Sequence, residues 1–381
     1  MKQEILIISY FFYPENNPRA FRTFELAKEL AKKNKVKIII PKKNIEYYNL
    51  EQKYNFDIVQ IESGVFFNKN YIRNKIPESS KSNRVKSLLK KIYNYLFSDR
   101  TLEYFYPLMK ELKKINYKYD AVISIGLPFS CHLGTWLGVK FNKNLTSKII
   151  LDYGDPFYKN KTCNMAPYFK KIEKIVLKYA ADVVIPIEKM KDSFKEYDIE
   201  NKIKIIPQGF SFENIKLEKY IKNKISTFIY AGLFYEEIRN PLNFFKELNK
   251  LKIDYKFYIY TDINHLRKMR SGVEIEKEIR KSNNKIVLND IIPREKCITE
   301  MSKADFLINL ENINSDQSPS KLIDYAISKR PILSFNQENF DVFIFKEFLN
   351  GNYTMAKTIN LEEYDIKKIS KQFMNLIVGE M

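Results

Sequence analysis

The chain has 381 residues, 45% of them hydrophobic and 14% aromatic, with a formal net charge of +19 at pH 7. This length exceeds one comfortable core and predicts two domains, and the apolar content excludes a disordered chain. The longest apolar run, ILIISYFFY, is far shorter than the ~18 residues of a membrane-spanning helix. Because MKQEILIISYFFYPENN lacks the pattern of a secretory signal, we expect a cytoplasmic protein.

The three cysteines, Cys131, Cys163 and Cys297, show no C-x-x-C spacing. This indicates neither a disulfide framework nor a thiolate metal site. The positive charge predicts an anionic partner, which is a nucleic acid, a phosphorylated substrate or an acidic membrane surface. Charge alone does not decide among these partners, and the sequence does not set the oligomeric state.

The first half of the chain alternates between strand and helix patterns. An apolar strand, EILIISY, leads through the loop FFYPENNP to the helix RAFRTFELAKELAKKN and the strand KVKIII. The next predicted strands are residues 119–126, 147–153 and 182–187. This alternation predicts a parallel sheet covered by helices, and we assign it to an N-terminal Rossmann-like domain over residues 1–209.

One basic segment, residues 71–97, interrupts that alternation. From Tyr71 to Leu96 it carries seven basic residues against the single acid Glu78, and its apolar residues recur at helical spacing. As a basic amphipathic helix it would bind an anionic membrane, each Lys or Arg adding on the order of 1 kcal/mol. The alternative is an inserted helix that packs on its own domain and turns a solvated basic face outward.

After KIKIIPQGF the strand and helix pattern starts again. The predicted strands are STFIYAG, YKFYIYT, KIVLND, ADFLINL and RPILSF. They define a second Rossmann-like domain over residues 210–360. The remaining residues, 361–381, predict an amphipathic helix that packs back on the N-terminal domain.

The stretch DQSPSKLIDYAISKRPIL, residues 316–333, lies between two predicted strands. Ser318 suits an N-cap and Pro319 the first helical position, so a helix is expected to begin near Ser318. Ser320 and Lys321 then fall in its first turn, where backbone N–H groups and the helix dipole favour an anion. A strand, a loop and a helix N-terminus together form the usual ligand-binding edge of an open α/β sheet.

Four stretches carry a family resemblance. They are ILIISYFFYPENNPRAFRTFELAKEL; DAVISIGLPFSCHLGTWL with IILDYGDPF; ADVVIPIEKMKDSFKEYDIENKIKIIPQGF; and FIYAGLFYEEIRNP with LNDIIPREKCITEMSKADFLINLENINSDQSPSKLIDYAISKRPIL. In this order, over nearly the whole chain, they resemble the GT-B glycosyltransferases of glycosyltransferase family 4. The resemblance implies an α/β fold of GT-B type, with two Rossmann-like parallel-sheet domains facing across a cleft. It places the acceptor on the first domain and a nucleotide-sugar on the second.

The family's Glu-x7-Glu motif is matched by Asp316 and Asp324, each one methylene shorter. The resemblance implies that Asp324 bonds the ribose hydroxyls of the donor and that Asp316 lies near the transferred sugar. Charge-assisted bonds from hydroxyls to a carboxylate are roughly twice as strong as neutral ones. The alternative is that both acids are ordinary helix-start carboxylates. The donor diphosphate is assigned to the turn and helix start formed by Ser318, Ser320, Lys321 and Leu322.

A cation is expected to neutralise the leaving diphosphate. Family members often place an Arg and a Lys six residues apart after the first strand of the second domain, and here those positions hold Leu233 and Arg239. Arg239 is therefore the main predicted diphosphate ligand, helped by Lys321 or Arg19; its alternative is a surface residue before a helix. The further donor contacts implied by the resemblance are Gly232, Ile292 beside the nucleobase, Asn17 and Arg19.

His132 and Asp155 are the predicted catalytic residues of the first domain, with Asp316 from the second. The resemblance implies that His132 contacts the donor sugar and that Asp155, ranked above Asp152, binds or orients the acceptor hydroxyl. The alternatives are a structural histidine and a turn carboxylate bonded to local amides.

The resemblance implies a retaining hexosyltransferase type that uses no metal or other cofactor. Its acceptor would be a glycan or lipid-linked glycan in bacterial surface polysaccharide biosynthesis, such as capsule or lipopolysaccharide, at the inner face of the cytoplasmic membrane. One alternative is a non-hydrolysing nucleotide-sugar 2-epimerase, whose usual His and Glu-rich cleft is not evident. Another is a basic nucleic-acid-binding protein, but we expect no nucleic-acid partner because the basic residues form no aromatic-interleaved stripe or known module.

Overall fold

The computed structural model describes residues 2–15, 17–63, 104–160, 165–213, 215–313 and 320–379. The chain divides into two compact units, residues 1–211 with 363–381 (unit 1) and residues 212–362 (unit 2). The predicted basic insertion, 71–97, lies outside the described residues, as do Asp316 and Ser318. In the parts of the chain described, no helix is both long and apolar enough to cross a membrane.

Unit 1 is built on a seven-stranded parallel sheet of order β3-β2-β1-β4-β5-β6-β7. The strands are β1 Glu4–Ser9, β2 Lys35–Pro41, β3 Asp57–Ile61, β4 Ala121–Ile125, β5 Ile149–Asp152, β6 Asp182–Ile185 and β7 Ile203–Ile205. Strand order reverses between the neighbours β1 and β4. In an open α/β sheet, ligands bind in the crevice outside the carboxyl ends of the strands at such a reversal.

Helices cover both faces of this sheet. They include α1 Pro18–Ala31, α2 Tyr48–Tyr54, α3 Phe105–Lys114, α4 Phe129–Phe141 and α5 Tyr168–Tyr179. Because side chains alternate along a strand, Ile5 and Ile7 of β1 join the core beneath α1, whereas Leu6 and Ile8 join the core that includes buried residues of α3, α4 and α5. The near-continuous apolar strands follow from burial on both faces.

Unit 2 repeats the arrangement with five parallel strands of order β10-β9-β8-β11-β12. The strands are β8 Ser226–Ala231, β9 Tyr255–Tyr260, β10 Ile286–Asn289, β11 Phe306–Leu310 and β12 Ile332–Phe335. The helices include α6 Leu242–Lys250, α7 Ile263–Lys268, α8 Gly272–Lys281, α9 Arg294–Ser302, α10 Ser320–Ile327 and α11 Val342–Leu349. Here strand order reverses between β8 and β11, which places the ligand-binding crevice of this sheet at their carboxyl ends.

The C-terminal helix, α12 Ile366–Val378, belongs to unit 1. Asp365 caps its start by accepting a hydrogen bond from the Lys367 amide, and the Ile366 amide donates to the Phe210 carbonyl at 3.0 Å. Phe373 and Leu376 are buried in the core beneath α1. The chain therefore leaves unit 1 after Ser211, builds unit 2, and returns to complete the core of unit 1.

Candidate functional site

At the carboxyl edge of the unit 2 sheet, the backbone at Gly232 lies next to the side chain of Lys321. Gly232 directly follows β8 and has a φ of +146°, a conformation that side-chain-bearing residues rarely adopt. A Cβ at this position would lie 3.4 Å from the Tyr230 hydroxyl and 3.6 Å from Cδ of Lys321. The backbone conformation therefore favours glycine here, whereas the space beside the lysine of α10 would hold a Cβ at ordinary contact distance.

Two cations, Lys321 and Arg239, lie at this edge. Nζ of Lys321 donates to the Leu310 carbonyl at the end of β11, at 3.0 Å, and lies 4.9 Å from the ring centroid of Tyr230. Nη1 of Arg239 donates to the Leu233 carbonyl at 3.2 Å. Nε of Arg239 is buried and has no hydrogen-bond partner among the described residues. The guanidinium is thus anchored at one nitrogen and keeps unused donor capacity at another.

Arg239 disfavours the protonated form of Lys321. Burial holds the pKa of Lys321 well below its usual range, the charge of Arg239 lowers it further, and Glu311 only partly opposes these effects. The Glu311 carboxylate is shared with Lys357, at 2.5 Å, and with the Ser334 hydroxyl, at 2.8 Å. A desolvated ammonium beside a guanidinium, only partly compensated by Glu311, forms an environment that a bound anion would stabilise.

Helix α10 is fixed against the end of β8 by one tyrosine. The Tyr325 hydroxyl accepts a hydrogen bond from the Ala231 amide at 2.8 Å and donates to the Ala231 carbonyl at 3.2 Å. Leu322 and Ile323 are buried beneath the helix. Ser320 is the first helical residue described, so the first turn, Ser320 to Leu322, lies where β8 and β11 end. Its N–H groups belong to the set that has no partner within a helix.

Asp324, one turn further along α10, is paired with Arg294 at the start of α9. Nε and Nη2 of Arg294 both donate to Oδ1 of Asp324, at 2.9 Å and 2.5 Å. Burial raises the pKa of Asp324, and Arg294 opposes that rise by charge and hydrogen bonding. The half-buried Ile292 lies just before α9, in the loop that follows β10.

Sequence reasoning missed Arg294. The only signal was its place two residues after Ile292. Lys321 and Asp324 are three residues apart on one helix and therefore neighbours on its surface. The structure thus brings Gly232, Arg239, Ile292, Lys321, Leu322 and Asp324 to one edge of unit 2. That edge offers cations for an anion and, beside them, a carboxylate that can accept hydroxyl protons.

In unit 1, His132 lies in the first turn of α4, close to the end of β4. It is buried, its Nδ1 is 2.9 Å from the Ser124 hydroxyl, and its ring centroid is 4.5 Å from that of Tyr153. Nε2 has no hydrogen-bond partner among the described residues and faces Gly126, where a Cβ would lie 2.4 Å away. Burial lowers the pKa of His132 to about 3, against the opposing charge of Asp152. The imidazole is therefore neutral at physiological pH and suited to hydrogen bonding rather than to carrying charge.

The neighbouring acids of unit 1 differ in their surroundings. Asp152 is buried and receives two hydrogen bonds from Arg22, at 2.8 Å and 3.1 Å, which give it a structural partner. Asp155 is half-buried after β5, and its charge helps to keep Arg19 protonated although burial lowers the pKa of Arg19. Sequence reasoning did not anticipate this paired arrangement of Arg22 and Asp152.

Arg19 and Asn17 lie at the start of α1. Nη1 of Arg19 donates to the Gly126 carbonyl at 3.3 Å and lies 3.6 Å from Oδ2 of Asp152. Gly154 leaves room for it, since a Cβ there would lie 2.6 Å from Cζ of Arg19. The Asn17 side chain accepts from the Arg19 amide at 2.8 Å and so caps the helix. Among the residues described, no group of three or more His, Cys, Asp or Glu side chains could hold a metal ion.

A scan against protein-family models matches no family. A search of curated proteins also finds no match. Solved structures do match over the full length. A glycosyltransferase from Rickettsia africae is 15% identical, with a TM-score of 0.63 and 100% of both chains covered. The lipopolysaccharide outer core galactosyltransferase WaaB is 12% identical, with a TM-score of 0.62 and 100% of both chains covered.

The Anabaena protein HepE, solved in complex with UDP-glucose, is 8% identical, with a TM-score of 0.57, and the match covers 99% of this chain and 100% of that one. At such low identities a structural match establishes architecture. The two parallel sheets, of seven and five strands, agree with it. The predicted fold class is thereby confirmed, and the chain has the GT-B fold.

Proposed function

We propose that this protein is a glycosyltransferase that moves a sugar from a nucleotide-sugar donor to a glycan or lipid-linked glycan acceptor. The observation that carries the proposal is the desolvated Lys321 beside Arg239 at the strand-order reversal of unit 2, with the carboxylate of Asp324 one turn away. The likeness to proteins named as glycosyltransferases, and to one bound to UDP-glucose, supports it.

In this proposal each part of the donor meets a matching group of unit 2. The diphosphate binds Lys321, Arg239 and the amides of the first turn of α10, Ser320 to Leu322. The ribose hydroxyls donate to Asp324, and the nucleobase lies against the main chain of Ile292. Gly232 allows the strand end to approach the diphosphate. The family resemblance adds Ser318 near the diphosphate and Asp316 near the transferred sugar.

The proposed reaction retains the anomeric configuration. The acceptor hydroxyl oxygen bonds to the anomeric carbon on the face from which the nucleoside diphosphate departs. The bond from that carbon to the phosphate oxygen breaks, its electron pair leaves with the diphosphate, and the acceptor proton passes to a diphosphate oxygen. Lys321 and Arg239 stabilise the charge that develops there, and no metal or other cofactor enters the proposal.

For unit 1 we propose the roles that the resemblance implies. The neutral His132 contacts the transferred sugar, and Asp155 orients the acceptor hydroxyl. Arg19 and Asn17 complete the proposed donor contacts. The low pKa of His132 supports a role as a neutral hydrogen-bonding group, because a charged imidazolium would repel an anomeric centre that gains positive charge.

A lipid-linked acceptor places the enzyme at the anionic inner face of the cytoplasmic membrane, within bacterial surface polysaccharide assembly. The exposed side of α5 supports this placement. Tyr168, Ile175 and Tyr179 are 40%, 51% and 44% exposed, and the exposed Lys171 and Lys178 lie between them at helical spacing. Aromatic and aliphatic side chains interleaved with lysine suit the boundary between lipid headgroups and water.

A thermal-shift screen against UDP, GDP, CMP and their sugars tests the proposal. A bound nucleotide should raise the melting temperature by mass action. Arg239→Ala should abolish the shift and raise the donor KM, whereas Arg280→Ala, at an exposed position on α8, should leave both unchanged. A protein that none of these nucleotides stabilises, and that transfers no sugar, would contradict the proposal.

A further inference from the structure

We propose that Arg294 is a positioning residue that orients the Asp324 carboxylate, and that it thereby sets the preference of this site for ribose over 2′-deoxyribose. The inference rests on the proposed function, in which Asp324 binds the donor ribose. It concerns a residue that no family motif in the sequence singled out.

The hydrogen bonds between Arg294 and Asp324 support this role. Both hydrogen bonds from Arg294 reach the same oxygen, Oδ1 of Asp324, at 2.9 Å and 2.5 Å. A guanidinium has a rigid planar fork, so two bonds from it that converge on one oxygen fix the position of Oδ1 relative to Arg294 more firmly than one flexible donor would. In this proposal Oδ2 accepts a hydrogen bond from a ribose hydroxyl.

The short side chain of Asp324 makes its orientation important. Asp324 is one methylene shorter than the glutamate that the family motif carries at this position, so it cannot bend back towards a ligand to the same extent. A short side chain binds two adjacent hydroxyls only when its orientation is set in advance. Arg294, at the first position of the neighbouring helix α9, supplies that constraint.

Arg294 also favours the ionised form of the Asp324 carboxylate. Burial alone favours the protonated form of Asp324, and Arg294 opposes it. The other titratable group of α9 that faces Asp324 is Cys297, whose thiol pKa is raised to about 12 by burial and by the charges of Asp324 and Glu300. That thiol is neutral at physiological pH, which leaves Arg294 as the cation of α9 that stabilises the carboxylate. Only an ionised carboxylate accepts a hydrogen bond from each of two hydroxyls without also acting as a donor.

The test compares UDP, GDP, ADP and CDP with their 2′-deoxy analogues by isothermal titration calorimetry. The 2′-deoxy form lacks one bond to a charged acceptor, so the wild-type protein should bind the ribose form about tenfold or more tightly. Arg294→Met should weaken binding of the ribose form and bring the ratio close to one, while binding of the deoxy form changes little. In Asp324→Asn the ratio should also approach one, and adding Arg294→Met should then change it no further.

The pH dependence separates orientation and ionisation from general damage. Without Arg294 the pKa of Asp324 rises, so the ribose preference of Arg294→Met should be lowest at acidic pH and recover as the pH rises and the carboxylate ionises. Arg294→Lys retains the charge but lacks the fork, and it should restore part of the ratio. It also provides a second variant if Arg294→Met folds poorly.

The two proposals fail differently. If wild-type protein prefers a ribonucleoside diphosphate and folded Arg294→Met keeps the wild-type ratio at every pH, the role of Arg294 is wrong and the proposed function stands. If wild-type protein binds none of the nucleoside diphosphates, the proposed function is wrong and the role of Arg294 falls with it.

Discussion

Lys321 shows how one residue can reduce stability and serve binding at the same time. Its ammonium lies near Arg239 in a desolvated setting, with one hydrogen bond to the Leu310 carbonyl. The folded protein therefore favours the neutral amine more than the unfolded chain does. A bound diphosphate would supply negative charge and so favour the protonated lysine. The site therefore binds an anion more tightly when Lys321 carries its proton than when it is neutral.

Lys321→Met should therefore stabilise the unliganded protein while removing nucleoside diphosphate binding. Replacing a poorly compensated charge by an apolar side chain of similar length should add about 1 kcal/mol to the free energy of unfolding. The difference in the free energy of unfolding between Lys321→Met and wild type should narrow as the pH rises towards about 10, where lysine in the unfolded chain also loses its proton. Thermal melts with and without UDP or GDP measure both effects.

The matched control is Lys277→Met, at an exposed position on α8. It should change neither the melting temperature nor the nucleotide shift appreciably. A Lys321→Met protein that is less stable than wild type, or that keeps the full nucleotide shift, would refute the prediction.

His132 predicts a second effect at the same scale. Its pKa of about 3 in the folded protein lies below the value of about 6.5 in an unfolded chain. The unfolded state therefore binds a proton that the folded state does not, and stability is lost as the pH falls from about 6.5 towards 3. His132→Gln should show a smaller fall in melting temperature between about pH 7 and about pH 4.5. Parallel melting curves for the two proteins over that range would show that His132 titrates normally.

The residues that sequence reasoning located, and the pair that it missed, differ for a physical reason. Gly232, Ile292 and Lys321 follow β8, β10 and β11 of one parallel sheet, and the carboxyl ends of parallel strands share an edge, so their presence at that edge can be predicted from the strand pattern. The contact between Arg294 and Asp324 depends on how two helices pack and which rotamers they select. Neither quantity is encoded in a local pattern.

At the scale of single elements, α10 carries much of the proposed donor site on only eight residues, Ser320–Ile327. Such a short helix is not stable on its own and depends on tertiary contacts. The Tyr325 hydroxyl supplies one of them by bonding both the amide and the carbonyl of Ala231. This contact thereby fixes the position of the first turn of α10 relative to the end of β8.

Tyr325→Phe should lower the free energy of unfolding by about 1–3 kcal/mol, because it leaves the partly buried polar groups of Ala231 without a partner. Nucleotide binding should weaken as well, since the first turn of α10 is no longer held at its position. Urea denaturation and nucleotide titration measure the two effects.

Tyr258→Phe is the matched control, since Tyr258 is half-buried in β9 and its hydroxyl has no hydrogen bond among the described residues. It should behave like wild type. Equal stability of Tyr325→Phe and Tyr258→Phe would mean that the hydroxyl of Tyr325 does not hold α10.

Ten strands were predicted from apolar runs, and the structure confirms them. Two were missed. β3, DIVQI, interrupts its apolar residues with a charged and an amide side chain because it is the edge strand of unit 1. β7, IKI, is only three residues long and ends just before Pro207. Both are edge strands of the unit 1 sheet, and neither has the continuous apolar run by which the other ten strands were recognised.

At the scale of the whole molecule, two of the many lysines behind the charge of +19 lie on an exposed surface together with aromatic side chains. In the linear sequence the basic residues show no regular relation to aromatic ones, and tyrosines are expected to be at least partly buried. Folding turns Tyr168 and Tyr179 of α5 outward beside Lys171 and Lys178. The interleaved stripe therefore becomes visible only once the buried face of the helix is known.

The protein should bind vesicles that contain phosphatidylglycerol, and much more weakly vesicles of phosphatidylcholine alone. Replacing Lys171 and Lys178 by Glu should weaken binding, since each lysine contributes on the order of 1 kcal/mol near an anionic surface. The triple change of Lys86, Lys90 and Lys91 to Glu tests the predicted basic insertion in the same assay. Sedimentation with vesicles at low and physiological salt measures the effect, which salt should reduce.

Equal binding to both kinds of vesicle, or binding that neither set of substitutions changes, would contradict a membrane role. A gel shift with random DNA and RNA at physiological salt serves as the companion measurement. Retardation of either nucleic acid would favour the rival class instead.

The return of α12 to unit 1 has a consequence for biosynthesis. Ile366, Ile369, Phe373, Leu376 and Ile377 fill the core beneath α1, yet they follow the whole of unit 2 in the sequence. The apolar surface beneath α1 in unit 1 therefore stays uncovered until the whole of unit 2 has been translated. A nascent chain or a truncation that ends before Ile366 should consequently leave this apolar surface exposed and depend on chaperones.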